Sequence, residues 1–105
     1  MPEIELGVPK GVVESLPEDE GTAERDMRRA IAGIQSRLNE TIAEAGPDEA
    51  AEIVADAVER METQASTYHE FVPELRAWGQ SPIYAIAWRN LYLELIGQLY
   101  DHEWL

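Results

Sequence analysis

Cysteine is absent from this 105-residue chain. That excludes a disulfide framework, thiol catalysis and any zinc site built on sulfur ligands. Lysine is reduced to Lys10 alone, and histidine to His69 and His102. With 8 basic against 21 acidic residues, the charge argues against direct binding of a phosphate backbone, which needs clustered Lys and Arg. No apolar run reaches the roughly 20 residues of a membrane span. The most apolar stretch is interrupted by Arg89, Asn90, Glu94 and Gln98. Period-two alternation, hairpin signals and internal repeats are missing, so no strand is expected. The seven glycines are scattered and form no phosphate-cradling loop. Gly33 and Gly97 fall inside helical patterns, where a missing side chain lets helices pack closely. Ser15, Ser36, Ser66 and Ser81 lie in no nucleophile elbow. No basic flank precedes an apolar run at the N-terminus, so no signal peptide is expected. We therefore expect a cytoplasmic protein, or one packaged in a virion or another large assembly.

What the chain does contain is carboxylate. The net charge is −13, and seven of the eight cations are arginines. A surface that avoids lysine while accumulating Glu and Asp resembles the style of haloadapted proteins. Self-repulsion at this charge is screened by salt, because the Debye length falls from about 10 Å at 0.1 M to roughly 3 Å at 1 M. The alternative is an ordinary acidic protein whose Glu excess serves helix formation. Hydrophobic content is 45%, which suits one folded domain with a modest core.

The spacing of apolar residues predicts an all-α fold. Residues 1–20 contain Pro2, Pro9 and Pro17, so they read as an extended N-terminal arm with at most a short turn. Ile4, Leu6, Val8, Val12, Val13 and Leu16 make the arm too apolar to be only a solvated tail. It packs over its own core or exchanges with a neighbouring subunit. Residues 21–105 form a single helical-bundle domain. The first helix runs from about 22 to 45, on the apolar row Met27, Ile31, Ile34, Leu38, Thr41 and Ala45. Gly46 supplies its stop. The second opens at Pro47-Asp48-Glu49 and runs to about 78, on Val54, Val58, Met61, Ala65, Tyr68, Val72 and Leu75. Pro73 predicts a kink or break near 70–73. The third spans about 82 to 103 behind Ser81-Pro82. Its apolar residues go most of the way round, which marks a helix buried on several sides.

The expected architecture is thus a three-helix bundle, a helical hairpin plus an apolar C-terminal helix, completed by oligomerisation. Two amphipathic helices cover only part of such a third helix. Tyr84, Trp88, Tyr92, Leu95, Leu99 and Trp104 are the expected oligomer interface, since exposed aromatic surface marks contact sites. A two-fold dimer is the simplest outcome. The competing arrangement has the arm covering the spare face.

A second polar feature is an acidic row on the second helix. Asp48, Glu52, Asp56, Glu59 and Glu62 follow one side, with Arg60 as the only cation among them. Carboxylates four residues apart stand about 6 Å from one another. That spacing resembles phosphates along a nucleic-acid strand, so DNA mimicry toward a basic protein is one reading and a solvated face the other. Arg25, Arg28, Arg29 and Arg37 lie on the first helix, and we expect them to bridge to acids of the second across the bundle or a subunit interface. A helical di-iron site would use Glu-x-x-His pairs. Ser66 and Leu99 stand where those acids should precede His69 and His102, so the pattern fails. No cofactor is expected. The function expected is that of a non-enzymatic helical interaction protein, a self-associating adaptor or assembly component. The alternatives are an acidic regulator of a basic nucleic-acid-binding protein and a metal-binding helical bundle.

Overall fold

The computed structural model describes residues 4–16 and 22–101. Among them it contains four α-helices, one 3-10 turn and no strand, and it is an all-α bundle. The helices are α1 (Lys10–Glu14), α2 (Thr22–Ala45), α3 (Ala50–Ala77) and α4 (Ile83–Asp101). The described molecule measures 49 × 26 × 20 Å. α3 has 28 residues, hence a length of about 42 Å, and helices are roughly 10 Å across. The cross-section therefore requires α2, α3 and α4 to lie along one long axis.

Local chemistry sets the turns. α2 stops because Gly46 takes φ +96°, a left-handed value that side chains with a Cβ resist. Its N–H donates to the Ile42 carbonyl at 2.8 Å. Pro47, Asp48 and Glu49 then form the 3-10 turn that starts the next helix. α3 ends at a Schellman-type turn on Gly79, φ +74°. There the Gln80 N–H donates to the Leu75 carbonyl and the Gly79 N–H to the Arg76 carbonyl. The Ser81 hydroxyl accepts a long bond, 3.4 Å, from the Ile83 N–H at the start of α4.

Of the kink or break expected near 70–73, the break does not occur, since α3 is continuous through Pro73. Proline has no N–H to offer the His69 carbonyl. Yet α3 continues four residues past Pro73. α3 makes with α4 the most extensive contact between any two helices, and Tyr68 and His69, just before the proline, take part in it. The expected third-helix residues beyond 101, including His102 and Trp104, lie outside the described residues, as do Pro2 and Pro17.

One core runs through the molecule. Met27, Ile31, Leu38 and Ile42 of α2 meet Val54, Val58 and Met61 of α3 and Ala87, Leu91, Leu95, Ile96 and Leu99 of α4. The arm belongs to the same core: Ile4 is wholly buried, and Leu6 and Val12 nearly so. The arm runs between α2 and α4 and is gripped by its backbone. Asn39 accepts from the Ile4 N–H at 2.8 Å and donates to the Ile4 carbonyl at 3.0 Å. Gln98 does the same for Gly7, at 2.7 and 2.8 Å. Gln35 accepts from the Leu6 N–H at 2.8 Å. An extended segment has no internal partners for these groups, so the helix amides satisfy what a neighbouring strand otherwise would. α1 then packs on α4.

Candidate interaction surface

α4 explains why helical periodicity read it ambiguously. Ala85, Ala87, Leu91, Leu95, Ile96 and Leu99 are buried, turned toward the arm, α2 and α3. The remaining outer side still carries apolar residues: Ile86 is half-buried, Leu93 is 50% exposed and Tyr100 is 56% exposed. The expected interface is therefore corrected. Leu95 and Leu99 have no exposed surface and serve the chain's own core. The arm, bound through Gln98, closes part of the face expected to be spare. Trp88 and Tyr92 are half-buried beside the core, and Tyr84 is exposed. Trp104 lies outside the described residues. Leu93 and Tyr100 were missed because an apolar residue on an all-apolar helix carries no local signal of its direction.

Aromatic rings concentrate on the α3–α4 hairpin. Tyr68 of α3 stacks with Trp88 and Tyr92 of α4, each at 6.2 Å between centroids. Trp88 and Tyr92 are also 6.2 Å apart. The three rings lie within 35° of parallel, so they fill the seam between helices and do not form the walls of an open cage. Burial raises the Tyr92 pKa above the ordinary tyrosine value, and the neighbouring Tyr68 hydroxyl adds to the shift. At the end of the hairpin Phe71 and Trp78 meet edge-on at 6.5 Å, with Trp78 67% exposed. Across the seam, Arg89 donates to His69 Nδ1 at 3.1 Å and to the Asn90 side chain.

Charge is distributed unevenly along the long axis. Residues 22–33 and 64–92 form the end that holds the α3–α4 turn, and carry five arginines against four acids. Residues 34–63 and 93–101 form the other end, and carry two arginines against ten acids. Asp48, Glu52, Asp56, Glu59 and Glu62 are all exposed, and among the described residues none is ion-paired. Within the chain, no bridge between α2 arginines and α3 acids forms among the described residues. Arg28 pairs with Glu24 of its own helix at 2.8 Å, and Arg25, Arg29 and Arg37 are exposed. α2 keeps its arginines on its outer side, where no α3 carboxylate is within reach.

Among the described residues no three His, Asp or Glu side chains converge as metal ligands. No helix there is long and apolar enough to cross a membrane. A shallow, open cleft of about 370 Å³ lies between α1 and α4, lined by Lys10, Val12 and Ser15 on one side and Asn90, Leu93 and Glu94 on the other. No curated protein and no solved structure is significantly similar to the chain. A family model matches residues 1–105, and the chain belongs to that family, DUF7971, a family of unknown function.

Proposed function

We propose that this is a non-enzymatic interaction protein that associates with a second copy of itself, serving as an adaptor or assembly component in a salt-rich cytoplasm or within a large particle. One observation carries the reading. All six large hydrophobic residues that remain exposed among the described residues fall between 71 and 100, on the α3–α4 hairpin: Phe71, Trp78, Ile83, Tyr84, Leu93 and Tyr100. Scattered exposed apolar residues are normal, whereas six on one supersecondary unit mark a contact surface. The charge pattern supports self-association there. Two copies of a chain at −13 repel, and four of the six, Phe71, Trp78, Ile83 and Tyr84, lie at the end of nearly balanced charge, where that repulsion is least.

Light scattering coupled to size exclusion, at low salt and in molar potassium chloride, tests the reading. The expected mass is twice 11.8 kDa, with the dimer favoured at high salt. A single copy at both salts refutes self-association. A second reading rests on the unpaired acidic row of α3, which would bind a basic nucleic-acid-binding protein by opposite charge. Neutralising Glu52, Asp56 and Glu59 to Gln and Asn would abolish capture of such a partner and leave the mass of the protein unchanged.

A further inference from the structure

We propose that two copies pair through the outer side of α4, with their α4 helices antiparallel about a two-fold axis beside Leu93. This rests on the reading of the protein as self-associating and assigns that contact to one face. The argument begins with spacing. Ile86, Leu93 and Tyr100 stand seven residues apart, so they share one side of α4 at steps of about 10.5 Å. In an antiparallel pair centred on residue 93, position 93 + n of one copy meets position 93 − n of the other. Leu93 then faces its own equivalent, and Tyr100 of each copy reaches the level of Ile86 in the other. The apolar row is its own complement.

The residues between them agree. Arg89 borders this row but turns its guanidinium aside to His69 of its own α3, and the level opposite it is Gly97. A Cβ placed on Gly97 meets nothing within 4 Å, so this point of α4 is bare and leaves room for the helix of the other copy. A missing side chain allows the helices to approach to the 8–10 Å typical of packed pairs, taken as roughly that range. Charge agrees as well. Lys10 and Glu94 line the cleft that includes Leu93. A two-fold axis beside Leu93 brings the two clefts together, and so places the lone lysine of each copy near a carboxylate of the other. A self-contact across the acidic end would instead face ten acids with ten acids.

The chain has no cysteine, so Leu93→Cys introduces a single thiol. A residue on a two-fold axis faces its own copy within disulfide reach. Ser66→Cys, exposed on α3, is the control for random collision. Under mild oxidation Leu93→Cys should form the covalent dimer at least about tenfold faster than the control, since facing thiols have a far higher effective concentration. Leu93→Glu should reduce the mass in light scattering from two copies to one, with helical circular dichroism retained because the side chain is half exposed. If the parent chain is a dimer but Leu93→Cys crosslinks no faster than Ser66→Cys, the α4 interface is wrong and self-association stands. If the parent chain is a single copy at both salts, both proposals fall.

Discussion

Replacing Asn39 by alanine should release the N-terminal arm. The Asn39 amide makes two hydrogen bonds with the Ile4 backbone. A neutral intramolecular hydrogen bond contributes about 0.5–1.5 kcal/mol net, so the pair is worth about 1–3 kcal/mol. The arm has little to spare. Ordering residues 4–8 costs about 1–2 kcal/mol each, or roughly 5–10 in all. Burial of Ile4 and Leu6 returns roughly 3–6 kcal/mol, and the five backbone hydrogen bonds from Gln35, Asn39 and Gln98 about 5 more. The terms nearly cancel, so a loss of about 2 kcal/mol is enough to undock the segment. Urea unfolding followed by circular dichroism should show that loss, and Tm should drop by roughly 10 °C. Amide exchange should show faster exchange at Ile4, Leu6 and Gly7, while the α3 amides stay protected. Thr41→Ala, on the same helix, removes only a bond to the Arg37 carbonyl and should be neutral or slightly stabilising. Ile4→Ala should cost no more than the net docking free energy, about 2 kcal/mol, and far less when Asn39 is already alanine, because both act on one docking step. An Asn39→Ala protein with unchanged stability and unchanged exchange at Ile4 would refute this account of the arm.

Two further outcomes follow from electrostatics. Tyr92 has its pKa raised in the folded state by burial, so folding favours its neutral form. That contribution is fully present below the unfolded tyrosine value of about 10 and is lost as pH rises through the higher folded value. Ultraviolet titration should show one tyrosine ionising late, and Tyr92→Phe should remove that step; four tyrosines titrating together would count against it. Stability should rise from dilute buffer to molar potassium chloride, because the end of the bundle around the α2–α3 turn holds ten acids against two arginines. Neutralising Glu52, Asp56 and Glu59 should raise the low-salt Tm and flatten the salt dependence, whereas a Tm that falls with salt would contradict the repulsion argument.

The helices of this protein are legible in its sequence because the forces that make them are local. Met27, Ile31 and Leu38 repeat at helical spacing, as do Val54, Val58 and Met61, and Gly46 and Gly79 sit where the chain must take positive φ. A residue's partners along one helix are three and four places away, so spacing alone determines which side is apolar. At Pro73 the same logic leaves a break open, and α3 runs on to Ala77 without one. It is silent at α4, where apolar residues surround the helix and spacing selects no inner side. That choice belongs to the tertiary structure. Asn39 and Gln98 hold arm residues 35 and 91 places away in the chain. The packing of α4 on α3, with the arm bound at Gln98, leaves Leu95 and Leu99 in the core while Leu93 and Tyr100 face outward. The sequence by itself determines the elements and the charge they carry. Which face of the last helix stays exposed depends on where α3 and the arm pack on it, a non-local balance of backbone hydrogen bonds and burial that no local pattern records.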